Sequence, residues 1–157
     1  MSKKYNFLLY LFLCILITSC GFERATQDNR LIYFKNIDVS GKDYMSYQLK
    51  NNMLLFSKEN ESFIYDVEVD LKSSKFTKIK DKTGKITRYG VNITADVTLI
   101  NTDDKEKYKA SFSKDGDYDI DKNHSQTLQN EKTVKSNLID QISEDIRNYI
   151  NLYLSNK

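Results

Sequence analysis

The chain has 157 residues, enough for one domain and short for two. Hydrophobic residues make up 39% and charged residues 29%, which excludes a disordered or collagen-like chain and suits a folded body. The formal net charge is +2, and Lys3 and Lys4 account for it, so beyond residue 19 basic and acidic residues balance and a nucleic-acid binder is disfavoured.

The chain opens on a positive "MSKK" and an apolar run over residues 7–17, "FLLYLFLCILI". That run is shorter than the roughly 20 residues a membrane-spanning helix needs and has the length of a signal-peptide core. Ile17, Thr18, Ser19 and Cys20 follow as "ITSC", which resembles a bacterial lipobox. In such signals the cysteine sulfur takes a diacylglyceryl group and the peptide is cut just before it. Residues 1–19 are therefore expected to be removed, and Cys20 is the expected lipid attachment site of a single domain over 20–157. Cys14 would leave with the peptide, so no disulfide framework is available. Each buried methylene contributes about 0.8 kcal/mol, so two or three acyl chains hold a protein durably on a membrane without spanning it. Gly21, rather than Asp, after the cysteine resembles outer-membrane sorting.

Beyond the anchor, "RLIYFKNI" (30–37) reads as a strand. Met45, Leu49, Met53 and Phe56 recur at helical spacing and predict a helix over 43–57. "SFIYDVEVDLKS" (62–73) alternates, with Phe63, Tyr65, Val67, Val69 and Leu71 on one side and acids and Lys72 on the other. "KDKTGK" supplies a turn at Gly84. A third strand over 85–101 places Tyr89, Val91, Ile93, Ala95, Val97 and Leu99 on one face. "KYKASFS" (107–113) predicts a fourth, and "KDGDYDIDKNH" (114–124) reads as an acidic loop. Leu138, Ile142, Ile146, Ile150 and Leu154, widened by Ile139, Tyr149 and Tyr153, form the apolar stripe of a helix over 125–154, with Asp140, Glu144, Arg147 and Asn151 opposite. The order is β-α-β-β-β-α. It predicts an α+β two-layer sandwich: a four-stranded mixed sheet, strands one and two parallel, both helices on one face and the other face polar and open.

The residues make a poor case for catalysis. His124 is the only histidine and falls in a polar stretch, so Ser-His, Cys-His and zinc arrangements lack parts. No catalytic residue, metal or cofactor is expected. Asp115, Asp117, Asp119 and Asp121 alternate, but an EF-hand loop started at Asp115 would need Gly and Glu where Ile120 and Gln126 stand. Lys78, Lys80, Lys82, Lys85 and Arg88 cluster around one turn. They suit phosphate recognition, or they guard strand edges.

The "CGF" after the lipobox, the β-α-β-β-β-α order, "TGKITRYGVNITADVTL" and the C-terminal "NLIDQISEDIRNYI" together resemble the LPS-assembly lipoprotein family LptE. The resemblance implies an outer-membrane lipoprotein partnered with the β-barrel LptD, sitting in the barrel lumen as a plug, aiding its assembly and the insertion of lipopolysaccharide into the outer leaflet. It also implies that basic residues near the middle hairpin, here Lys82, Lys85 and Arg88, bind lipopolysaccharide. The acidic residues Asp115 to Asp121 depart from a basic lipid-binding surface. An auxiliary lipoprotein of another periplasmic lipid-transport system is the alternative, and a membrane-tethered periplasmic enzyme is the remaining one.

Overall fold

The computed structural model describes residues 32–41, 43–58 and 63–155. The signal peptide, the lipobox, Cys20, Gly21 and Phe22 lie outside the described residues, as does the expected strand start at Arg30. In chain order the elements are β1 (Ile32–Val39), α1 (Tyr44–Leu55), β2 (Phe63–Lys80), β3 (Ile86–Asn101), β4 (Lys107–Asp119) and α2 (His124–Ser155). The expected β-α-β-β-β-α order is the order found, and the fold is α+β.

The sheet is four-stranded and runs β1-β2-β3-β4. β1 lies parallel to β2, from Ile32 beside Phe63 to Val39 beside Val69, while β2–β3 and β3–β4 are antiparallel. Alternation drives the layering: Val91, Ile93, Ala95, Val97 and Leu99 of β3 are all buried, as are Tyr65, Val67 and Val69 of β2. Over them lie Leu138, Ile139, Ile142, Ile146 and Ile150 of α2, and Met45, Leu49 and Met53 of α1. The side chains of Phe63 and Leu154, also expected in the core, are outside the described ones.

Asp43 starts α1 by accepting a hydrogen bond at Oδ1 from the Ser46 N–H (3.0 Å), a standard N-cap. The two helices then meet along a polar seam. Gln48 Nε2 donates to Ser136 Oγ (2.8 Å) and Asp140 Oδ1 (2.9 Å). Asn52 Nδ2 donates to Asp140 Oδ1 (2.8 Å) and Ser143 Oγ (3.0 Å). Asp140, expected on the solvent face of α2, is thus the acceptor that fixes α1 beside it.

Two expectations are corrected. The stretch from Lys114 to Asp119 is strand, not loop: β4 continues through it, pairing Asp115 with Asn92 and Asp119 with Arg88. Likewise β2 runs to Lys80, well past Ser73. In both places the apolar alternation stops but β3 still offers a backbone partner, and the ladder carries on. Gly116 permits the close approach this needs, because a Cβ there would sit 2.8 Å from Val134 Cγ1 of α2. His124, expected in a polar loop, is the first residue of α2.

Replacing Ile142, fully buried beneath the sheet, with Ala is expected to destabilise the fold by about 2–5 kcal/mol, read as a lower urea midpoint at unchanged slope.

Candidate functional site: the distal β2–β3 hairpin

β1 covers the edge of β2 only as far as Val69, so the part of β2 from Lys72 to Lys80 forms an overhang with exposed side chains. The hairpin turn closes it. Asp81 Oδ1 accepts from the Thr83 hydroxyl (2.6 Å), the Thr83 N–H (2.8 Å) and the Lys85 N–H (3.0 Å). Gly84 takes φ +85°, a conformation that favours glycine. The Thr83 hydroxyl, with the Thr83 and Lys85 N–H groups, holds the Asp81 carboxyl below the usual carboxylate range. The turn is rigid by construction, and Lys82 and Lys85 stand exposed on it.

Arg88 has a different setting. It lies on β3, on the open face, with Nε 2.6 Å from Asp119 Oδ1 and a terminal nitrogen 3.6 Å from Asp117 Oδ1. Lys78 also pairs with Asp117. The acidic stretch of β4 therefore lies next to the inner part of the basic cluster and neutralises it. Lys80, Lys82 and Lys85 make no salt bridge among the described residues, so the positive charge concentrates at the tip. The sequence brought all five basic residues to one turn; the structure divides them into a paired inner group and an unpaired tip.

Two large apolar side chains go unnoticed in the sequence. Phe76 (48% exposed) and Ile79 (45% exposed) sit on the open face of the overhang. Phe76 is opposite Gly90 and its ring covers the position a Cβ would occupy there, 2.4 Å away. The pairing signal was a lone glycine within a strand. A cationic tip beside exposed apolar side chains can bind a group that is anionic at one end and greasy at the other.

The opposite face of the overhang is clamped to α2. Lys75 Nζ lies 2.9 Å from Glu131 Oε2 and 4.2 Å from the centre of the Tyr89 ring. The Tyr118 hydroxyl donates to the same carboxylate oxygen (2.6 Å), and Lys135 Nζ is 2.7 Å from Oε1. Burial opposes the charge on Glu131, but the hydrogen bonds from Lys135, Lys75 and Tyr118 outweigh it and hold the carboxyl down at about 2. Burial also pushes the Tyr118 hydroxyl up, with Glu131 adding to it.

Asp115, Asp117 and Asp119 share one face of β4 and are engaged by Asn92, Lys78 and Arg88. Among the described residues no group of three or more His, Cys, Asp or Glu is placed to hold a metal ion, and no helix is long and apolar enough to cross a membrane.

Sequence profiles of protein families and curated protein sequences give no match to the chain. Solved structures do. The crystal structure of rare lipoprotein B from Shewanella oneidensis superposes with a TM-score of 0.61 at 11% identity, over 79% of this chain and 97% of that one. The chain has the fold of rare lipoprotein B. A lipoprotein B from Nitrosomonas europaea follows with a TM-score of 0.53 at 9% identity, over 80% of this chain and 85% of that one. At such identities the likeness is one of fold, and rare lipoprotein B is the LptE-family protein, so the fold implied by the sequence resemblance is the one observed.

Removing the Glu131 charge tests the clamp. Its folded value of about 2 lies below the ordinary 4.5, so its contribution is full above 4.5 and fades as the pH falls towards 2. Glu131→Gln is expected to cost about 1–2 kcal/mol at pH 7 once solvent screening is counted. The gap to wild type should close in urea titrations repeated at successively lower pH.

Proposed function

We propose that the chain is a lipid-anchored outer-membrane protein, without catalytic activity, that sits in the lumen of an LptD-like β-barrel. There it assists assembly of the barrel and the passage of lipopolysaccharide to the outer leaflet. The observation that carries this reading is the two-layer fold shared with rare lipoprotein B, in which this chain leaves one sheet face uncovered and polar across β2, β3 and β4 below the overhang: Asp66, Glu68 and Asp70 on β2, Asp96 on β3, Lys109 and Ser111 on β4. A barrel lumen is itself polar, and a rigid body with one wet face can pack against it without burying unpaired charge. The lipobox and Cys20 supply the tether to the membrane surface.

Lipopolysaccharide presents phosphates next to acyl chains. In this reading Lys82 and Lys85, on the braced turn, meet the phosphates, and Phe76 and Ile79 meet the first methylenes. Arg88 acts mainly by holding Asp117 and Asp119, so its part in binding is indirect.

Lys82→Glu combined with Lys85→Glu is expected to weaken lipopolysaccharide binding by roughly tenfold or more while the thermal midpoint stays within a degree or two, because both side chains are solvated. Binding at wild-type strength by the double variant would assign the two lysines to guarding the hairpin edge instead.

A further inference from the structure

β4 is the outer strand of the sheet along its whole length. The hydrogen bonds at its two ends show which residues face β3: Asn101 N–H donates to the Glu106 carbonyl (3.0 Å) and Ile120 N–H to the Thr87 carbonyl (2.9 Å). No bulge interrupts the register between them, from Ile100 beside Lys107 to Arg88 beside Asp119. In an antiparallel ladder the narrow pairs alternate, so the even-numbered residues of β4 spend their backbone groups on β3. The odd-numbered residues, from Lys107 to Asp119, turn theirs outward. Only the last of these carbonyls meets a side chain among the described residues, at Asp119, where Asn130 Nδ2 donates at 3.3 Å.

The charge along this edge is divided. Lys107 and Lys109 stand at its start, Ser111 and Ser113 in its middle, and Asp115, Asp117 and Asp119 at its end, all on the open face. We propose that β4 is a homodimer edge, which pairs antiparallel with β4 of a second copy about a twofold axis through Ser113.

Three properties of the strand carry this. Ser113 is the midpoint of Lys107–Asp119, so that axis overlaps the two strands completely. It sets Lys107 opposite Asp119 of the second copy, Lys109 opposite Asp117 and Ser111 opposite Asp115, with every reciprocal contact repeated as a twofold requires. It also pairs odd residues with odd residues, which are the ones whose N–H and C=O groups point outward, so the backbone hydrogen bonds and the side-chain charges agree on one register. Parallel pairing would instead bring Lys to Lys and Asp to Asp, which is repulsive. On the helix side the same axis brings Lys114 beside Phe112 of the second copy. There Lys114 is already drawn to Asp145 of α2 (2.6 Å), which leaves no unpaired cation at the seam. The result is an eight-stranded continuous sheet with one open polar face. This dimer does not rest on the barrel reading; it is the form of the chain away from any other partner.

Sedimentation equilibrium of the detergent-solubilised full-length protein tests it. Wild type is expected to dimerise. Lys107→Asp with Lys109→Asp, which opposes like charges at both ends, should raise the dissociation constant at least about tenfold with unchanged far-ultraviolet circular dichroism. Mixing that variant with Asp117→Lys/Asp119→Lys should restore association as a heterodimer. Asp117 and Asp119 also serve Lys78 and Arg88, so a second substitution that leaves them intact, Ser113→Asp, sets two carboxylates together on the axis and should weaken the dimer as well. A wild type that stays monomeric at every concentration overturns the proposal. So does undiminished association of both the lysine-reversed and the Ser113→Asp proteins.

Discussion

Val91, Ile93, Ala95, Val97 and Leu99 turn to the same side of β3, and all five are buried beneath α1 and α2. β3 is the one strand paired along both edges for nearly its whole length, with β2 on one side and β4 on the other. Its strict alternation decides which face of the sheet is apolar, and burial of that face is the main favourable term in the fold. Both helices must then lie on one side. Because they do, their mutual contact is a matter of hydrogen bonding, settled by Gln48 and Asn52 reaching Asp140 and its serine neighbours.

The same constraint explains the shape of the candidate site. β1 ends its pairing at Val69, and the apolar alternation of β2 fades after Leu71, yet β2 and β4 both follow β3 to its far end. A three-stranded overhang without a deep core results. It is held by charge instead: Glu131 gathers Lys75, Lys135 and Tyr118 beneath it, and Asp117 and Asp119 gather Lys78 and Arg88 above it. The tip carrying Lys82 and Lys85 stands on that support, braced within itself by Asp81. Charge of one sign collects only where no acidic strand lies alongside.

Much of the fold was legible in the sequence because periodicity reports burial directly. The runs from Tyr65 to Leu71 and from Tyr89 to Leu99, and the stripe from Leu138 to Ile150, could each bury one face only. The ends of β2 and β4 were not legible, because Thr77 and Asp117 sit in strands through backbone pairing to Tyr89 and Gly90 of β3, and side-chain pattern carries no trace of a partner's ladder. The candidate site was legible in part. Its basic residues were visible as a cluster, but whether each was free or paired depended on β4 lying beside β3. The sequence therefore groups Arg88 with Lys82 and Lys85, although it belongs with Asp119. Phe76 and Ile79 lay among lysines without periodicity, so their exposure on the open face had no signal beyond the glycine opposite Phe76.

The proposed function combines the expected tether at Cys20 with a one-sided body and a charged, partly greasy tip. Each would serve the proposed role, in which the protein works against a wall. The claim that this wall is the inside of a barrel is tested most directly by affinity recovery of the protein from outer membranes after brief chemical crosslinking. The account predicts that a large β-barrel protein comes with it in equimolar amount, and that the crosslinks join its interior to the open sheet face. Recovery of soluble periplasmic or inner-membrane transport components, with no barrel, would contradict it.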